Sequence, residues 1–542
     1  MRPASTIITS NHVFTGLDDA ARPLAVCIQD GIIVDIVSRE SIDLPADNVT
    51  DYEDAFICAG FHDGHLHAFH SALYSSPLAT DYLGASEADC VRHMQEFAKT
   101  RPTGWLLSQG WREYRWNPSG MPSKASLDAA FPDRPVAMYS GDAHTLWVNT
   151  CALRELGITA DSVPPAGGNY AKDKNGELTG IIQEAAAMEL MPRIVGGFSN
   201  DEIDDAYRSF TQRLAAQGIT SICDMSLMAL PGLDFIREDV YSRLDEAGEL
   251  PVRVTMFPTL LDDTSRFDAL HERFRGPKLT APGYKQFFDG VSSMHTAYVL
   301  EPYINPYFEG DRGRTTIAYE DMRDLVLRAN AAGHPVRIHT IGDQAIHLAL
   351  DIFEESLAAN GPLPDGLRNT LEHLENFQPD DMARLAKLDV IASVQPPHIT
   401  LDPLGPERDL GEDRCRYMWP FKTFLDDGTV MAFGTDSPVV APRSMDVLFC
   451  AVTRQDPKSL WPEGGWQPQE RIGMADALRA YTAGSAAAAE RSDIGFLKTG
   501  LRADLAILDT DLLSPQVKAE PTRILQTKVL ATYLDGKTTF IR

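Results

Sequence analysis

Pro335-Val336-Arg337-Ile338-His339, a helical-period stretch from Gln344 to Ala359, and Asn369-Thr370-Leu371-Glu372-His373 together decide how this chain folds. Two short β-branched runs flanking an amphipathic segment form the strand–helix–strand unit of a parallel sheet, because parallel neighbours need a crossover connection. Both runs end in a histidine.

Similar runs recur outward from this unit. Upstream lie Phe56-Ile57-Cys58, Ile219-Thr220-Ser221-Ile222-Cys223, Val252-Arg253-Val254-Thr255-Met256 and Tyr284-Lys285-Gln286-Phe287-Phe288. Downstream lie Val390-Ile391-Ala392-Ser393-Val394 and Val430-Met431-Ala432-Phe433-Gly434. The stretches Glu320 to Ala332 and Pro379 to Lys387 again read at helical period. Eight such units predict an α/β fold, a (β/α)8 TIM-like barrel.

The ends of the chain read differently. Residues 5 to 57 and the tail, with Ala503-Asp504-Leu505-Ala506-Ile507-Leu508 and Val529-Leu530-Ala531-Thr532-Tyr533-Leu534, are short strands broken by Asp/Gly turns. Two β-rich ends of about 50 residues are too small to stand alone. They are expected to join as a small β-sandwich domain, 1–58 plus 492–542, leaving 59–491 to the barrel. About 150 residues separate the first two barrel runs, far beyond the ~15 residues of an ordinary loop. Residues 75–210 are therefore expected to be a large insertion after barrel strand 1, at the active-site end, with folded pieces such as Gly104-Trp105-Leu106-Leu107-Ser108-Gln109-Gly110-Trp111.

Composition narrows the function classes. The chain has 542 residues, with 49 Lys+Arg against 77 Asp+Glu and a net charge of −28, and this acidic field argues against nucleic acid as partner. Hydrophobic residues at 44% and charged residues at 23% are globular values. No uninterrupted apolar stretch reaches the ~18 residues of a membrane helix. The opening Met1-Arg2-Pro3-Ala4-Ser5-Thr6-Ile7-Ile8 lacks the apolar core of a signal peptide, and the 7 cysteines are dispersed without a CxxC pair. A cytoplasmic location with reduced, structural thiols is the expectation. The expected partner is a small-molecule substrate, with no nucleic acid and no membrane, and the expected assembly a homodimer.

In a barrel, function gathers where strands end. Those positions hold Asp63-Gly64-His65-Leu66-His67, Lys285, His339, His373 and Asp436, a concentration in a chain with only 14 histidines. His65 and His67 are two apart, and in an extended segment such residues project to the same side. Two imidazoles there suit Zn²⁺. Alone, the pair reads equally as core or surface; His339, His373 and Asp436 favour the metal. An ammonium is no ligand, so Lys285 reads either as a salt-bridged barrel lysine or, after reaction with CO₂, as a carbamate whose oxygens could bridge two ions.

Taken together, Gly60-Phe61-His62-Asp63-Gly64-His65-Leu66-His67, Lys285-Gln286-Phe287-Phe288-Asp289-Gly290, His339-Thr340-Ile341-Gly342-Asp343, Leu371-Glu372-His373, Gln395-Pro396-Pro397-His398 and Gly434-Thr435-Asp436-Ser437-Pro438 resemble the amidohydrolase superfamily. The resemblance is to its YtcJ-like branch, amidohydrolase family 3, which includes N-substituted formamide deformylase, and it spans nearly the whole chain. It implies a metal-dependent hydrolase of carbon–nitrogen bonds other than peptide bonds. His65, His67, Lys285, His339, His373 and Asp436 would surround one or two divalent ions, with Lys285 N6-carboxylated in two-metal relatives. Ala59 stands where proline is common, and His62 where isoleucine or valine is usual.

A divalent ion there would acidify a water and polarise a carbonyl. Asp436 is the candidate for collecting the proton and returning it to a leaving nitrogen, against the plainer role of ligand only. His398 is the second catalytic candidate, polarising the carbonyl or binding substrate. Asp142, His144 and Trp111 are substrate candidates in the insertion, with Arg112 and Gln183-Glu184 behind them; each reads also as local packing or a loop hydrogen bond. The expected reaction is hydrolysis of a small amide, N-formyl or carbamate-like substrate. Deamination, cyclic-amide or ester hydrolysis would use the same site, and a non-catalytic binding protein is the remaining alternative.

Overall fold

A computed structural model describes residues 4–42, 49–141, 144–165, 167–227, 234–402 and 404–542. Two parallel sheets carry the strands that matter for function. One holds β1 (Phe61–Leu66), β2 (Ile219–Met225) and β3 (Arg253–Phe257), with the short Leu279–Thr280 beyond β3. The other runs in order through β4 (Tyr284–Phe287), β5 (Val336–Thr340), β6 (Thr370–His373), β7 (Ile391–Val394) and β8 (Met431–Phe433). The sheets meet at both edges. Leu66 of β1 bridges in parallel to Ser437, past β8, and Thr259, past β3, bridges in parallel to Lys285 of β4.

β5 to β8 are buried along their length, as parallel strands covered on both faces must be. The crossover helices follow the predicted periodicity. The helix Asp343–Asn360 buries Ala345, Ile346, Ala349, Leu350, Ile352 and Phe353 on one face and stops at Gly361, whose positive φ of 75° suits glycine.

Seven of the eight strands lie on the runs read from sequence, and the first does not. Phe56–Ala59 pairs antiparallel with Leu505–Leu508 and parallel with Thr6–Phe14, and β1 begins only after Gly60. The chain changes sheets at Gly60, where a Cβ would fall 2.3 Å from the Thr220 side chain. Phe56–Ala59 and β1 are both fully buried, so an apolar run alone could not reveal which sheet it joins.

Both chain ends build one eight-stranded sheet, in the order Lys537–Ile541, Val529–Leu534, Leu505–Leu508, Phe56–Ala59, Thr6–Phe14, Ala21–Gln29 and Ile32–Ser38, with Val49–Asp51 beside Thr6–Phe14. Its core includes Ile8, Val26, Ile57, Leu505 and Ile507. Buried Arg253 of β3 grips Asp504 through two bonds of 2.7 and 2.8 Å and Asp535 at 2.6 Å, tying the tail to the parallel strands.

A second compact unit comprises residues 69–210 and 237–249. Its six-stranded sheet runs Gly168–Lys172, Leu178–Glu184, Thr145–Val148, Val136–Ser140, Leu106–Trp111 and Ala79–Asp81. Trp111, Trp116 and Trp147 form its aromatic core, with Trp111 5.7 and 6.3 Å from the other two ring centres. No described helix is long and apolar enough to cross a membrane. All seven cysteines are buried and unbridged.

Candidate metal centre

The ends of β1 and β8 approach so closely that only glycine fits between them. A Cβ on Gly64 would lie 2.8 Å from the Phe433 carbonyl oxygen, and one on Gly434 would lie 2.5 Å from the His65 nitrogen. The Asp436 N–H then donates to the His65 carbonyl at 2.7 Å, which sets the Asp436 side chain beside the two imidazoles of β1. Asp436 and His373 both hold left-handed backbone angles, with φ of 58° and 71°. Side-chain-bearing residues adopt such angles at a cost, and such costs concentrate at functional sites.

Four imidazoles share one arrangement, in which one ring nitrogen is fixed outward on an acceptor. His65 Nδ1 meets Glu372 Oε2 at 2.7 Å, His67 Nδ1 meets the Met225 carbonyl at 3.0 Å, and His373 Nδ1 meets Gln395 Oε1 at 2.9 Å. His339 is held by its other nitrogen, Nε2, 3.2 Å from the Gly290 carbonyl. Each outward nitrogen faces an oxygen and so carries the proton, which leaves a lone pair on the nitrogen facing inward. The rings crowd together: the His65 and His373 centres are 5.0 Å apart, and those of His339 and His373 4.4 Å.

Asp436 Oδ1 stands 3.1 Å from His67 Nε2 and 3.4 Å from His65 Nε2 without the alignment of a hydrogen bond. His398 Nε2 lies 3.8 Å from Asp436 Oδ2, while a backbone bond to Thr435 holds its ring. Potential ligand atoms of His65, His67 and Asp436, and separately of His373, His398 and Asp436, lie within 4.8 Å of one another. Lys285 Nζ, His398 Nε2 and Asp436 Oδ1 are buried without a hydrogen-bond partner among the described residues. Burying such atoms unpaired is costly, and a divalent cation would satisfy His398 Nε2 and Asp436 Oδ1, while the Lys285 ammonium, itself no ligand, would have to lose its proton first. The residues present therefore fit a metal.

Electrostatics agree with that fit. Burial holds His65 at about 4 and His339 at about 3, and pushes His373 and His398 below the ordinary imidazole value, so these rings are neutral at pH 7. Burial would raise the Asp436 carboxyl, whereas positive charge on His67, His65 and His398 around it would lower it, and with rings neutral a divalent ion among them would do the same. Burial brings the Lys285 ammonium down to about 8, which exposes a fraction of neutral amine at pH 7.

Beneath the rings, the buried Arg337 guanidinium donates to Glu372 Oε1 at 2.6 Å, to the Gly64 carbonyl at 2.7 Å and to the Ala488 carbonyl at 3.0 Å. Glu372 thus joins His65 to a fixed positive charge, and Arg337 and His65 together hold its carboxyl well below its usual value against the opposing effect of burial. Neither Glu372 nor Arg337 was singled out in the sequence for this role. Glu372 adjoins His373 and Arg337 lies two before His339, so their place in the strand motifs was the available signal.

The insertion candidates have local partners. The Trp111 indole is fully buried and donates to the Met138 carbonyl at 2.8 Å, which accounts for it as core of the second unit. His144 Nδ1 pairs with Glu184 Oε2 at 2.8 Å, both side chains about half exposed. Gln183 accepts from Asn169 at 2.9 Å, and Arg112 donates to the Tyr114 hydroxyl at 3.0 Å. Asp142 lies outside the described residues.

A sequence model of the amidohydrolase family matches residues 48–540. The chain is similar to the putative amidohydrolase YtcJ of Bacillus subtilis (strain 168), at 25% identity over 533 residues covering 97% of each chain. It is similar to the N-substituted formamide deformylase of Arthrobacter pascens, at 25% identity over 519 residues covering 91% of this chain and 90% of the other. Among solved structures, an uncharacterized metal-dependent hydrolase from Pyrococcus horikoshii OT3 shares the fold, with a TM-score of 0.76 and 23% identity over 94% of this chain and 98% of that one.

Proposed function

The chain belongs to the amidohydrolase family, and from that premise we propose that it is a metal-dependent hydrolase cleaving a C–N bond of a small amide, N-formyl or carbamate-like substrate. The observation that carries this reading is the convergence of four imidazoles and Asp436, each of the four rings with its outward nitrogen on an oxygen. The similar formamide deformylase supports the substrate class. The eight parallel strands, bridged at both sheet edges, support a closed (β/α)8 barrel with the site at the carboxyl ends of its strands. The sheet from both chain ends supports the β-sandwich domain over 1–58 and 492–542. Net acidity and the unbridged cysteines support a cytoplasmic enzyme.

A nitrogen-rich set with one carboxylate suits Zn²⁺. His65, His67 and Asp436 would hold one ion, and His339 and His373 a second. When bound, the metal supplies Lewis acidity, acidifying water and polarising a carbonyl. The Lys285 amine, once neutral, could add to CO₂ by forming an N–C bond and releasing one proton, and the resulting carbamate would supply oxygen ligands to a divalent ion. Asp436 takes the proton from the attacking water on one side of the reaction and delivers it to the leaving nitrogen on the other. His398, with Nε2 unbonded, would hold the substrate carbonyl or its developing charge once that nitrogen takes up a proton.

The test is a screen of the Zn-loaded full chain against N-acyl amines, N-formyl amines, cyclic imides, aminated heterocycles and aryl esters. Turnover confined to the first two classes is expected. Ammonia released from a heterocycle as the dominant product would overturn the substrate class and leave the metal site standing.

A further inference from the structure

Two buried carboxylates in the strand-end motifs take no part in the reaction just described. Asp289 follows β4 and is 2% exposed. Its Oδ1 accepts the N–H of Ile341 at 3.0 Å, and its Oδ2 accepts those of Gly342 at 2.8 Å and Tyr298 at 2.9 Å. One side chain therefore fixes the exit of β5, which carries His339, against the exit of β4 and the returning loop. The next carbonyl, that of Gly290, is the one that holds His339 Nε2. Its position is tight: a Cβ on Gly290 would fall 2.3 Å from Thr296 Oγ1, and one on Gly342 would fall 2.1 Å from the Tyr298 carbonyl oxygen. The grip on Nε2 is what turns Nδ1 of His339 inward, opposite to the other three rings.

Asp63 does the corresponding work at the other strand junction. Fully buried, it accepts the Thr435 hydroxyl at 2.6 Å, the Thr435 N–H at 3.0 Å and the His65 N–H at 3.3 Å. The exit of β1, with His65 and His67, is thereby locked to the segment carrying Asp436.

We propose that Asp289 and Asp63 are positioning residues that each preset one half of the ligand set before metal arrives, Asp289 the His339 half and Asp63 the His65–His67–Asp436 half. The proposal rests on the metal-hydrolase reading above. Asparagine matches aspartate in shape but offers one acceptor oxygen where Asp289 uses two, so its amide N–H would face a backbone N–H and leave that donor unpaired. Loss of such outer support typically weakens metal binding by about 10–100-fold.

The experiment uses full-length wild type, Asp289→Asn and Asp63→Ala, stripped with a chelator and titrated with Co²⁺ while the visible absorption spectrum is recorded. Wild type is expected to fill in two phases. Asp289→Asn should weaken one phase about 10–100-fold and leave the other, Asp63→Ala, which removes every acceptor, should do the reverse, and the residual spectra should differ because the remaining donors differ. Two variants that weaken the same phase equally, or that bind as wild type, would overturn the division into halves. Hydrogen exchange on wild type keeps the test decisive if a variant does not fold. The amides of Ile341, Gly342, Tyr298, Thr435 and His65 should be equally protected in stripped and loaded protein, and protection that appears only with metal would overturn the proposal. Wild type that takes up no Co²⁺ would overturn the metal reading itself, whereas normal wild-type loading with unaltered variants would overturn the clamps alone.

Discussion

Replacing Glu372 with glutamine should damage the centre from below without touching a ligand. The carboxylate lies between two buried donors, with Oε1 2.6 Å from Arg337 Nε and Oε2 2.7 Å from His65 Nδ1. Glutamine has one acceptor oxygen. If it faces Arg337, the amide N–H₂ confronts His65 Nδ1–H, and the ring either loses its bond or shifts its proton to Nε2, which closes the lone pair that faces Asp436. If it faces His65, the guanidinium loses its acceptor. Either way Arg337, 1% exposed, keeps no counter-charge, and breaking a buried pair from one side costs about 3–5 kcal/mol. Metal affinity should fall about 10–100-fold, the usual effect of removing a carboxylate behind a ligating imidazole, which is about 1.4–2.7 kcal/mol. Competition against a chromophoric chelator measures the affinity, and urea unfolding of the stripped protein measures the stability. Wild-type affinity together with an unchanged unfolding midpoint would refute the reasoning.

Three further outcomes follow from the same geometry. Asp436→Asn should lower kcat by about 10²–10⁴, the range for a lost general acid–base, with the change read against metal content; unchanged turnover with metal retained would leave Asp436 a ligand only. Because His65 and His339 sit at about 4 and about 3, protons compete with metal at those rings only as pH falls toward those values, not at the ordinary imidazole value near 6.5. Stepwise dialysis should accordingly find metal still bound at about pH 5 and released toward about pH 4, well below the range for exposed imidazoles. With the Lys285 amine at about 8, its neutral fraction should grow about tenfold between pH 7 and pH 9, so at equal dissolved CO₂ the Lys285 peptide should gain CO₂ mass faster at the higher pH.

The candidate metal ligands were legible because they end strands, and a strand end is a position that periodicity can locate. Seven strands were found that way, and with them His339, His373 and Asp436. The eighth was displaced because Phe56–Ala59 and Phe61–Leu66 are both buried, and only the tertiary approach at Gly60 and Thr220 separates them. The support behind the ligands was largely invisible for a different reason. His67 and His339 are held by the carbonyls of Met225 and Gly290, and a backbone oxygen carries no signature in a sequence. Arg337 lies inside a run read for its β character and Glu372 inside a motif read for its histidine, where a buried ion pair looks like an ordinary polar interruption. Trp111 read from the sequence either as a substrate contact or as local packing, and it packs with Trp116 and Trp147 in the core of the second unit.

Metal content of the purified full chain, set beside that of a His65→Ala/His67→Ala double variant prepared identically, tests the central claim most directly. Wild type should carry tightly bound divalent metal, and the double variant, folded by circular dichroism, should lose the ion held by His65, His67 and Asp436. A wild type that acquires no divalent metal on incubation, or a double variant with undiminished content, would contradict the account.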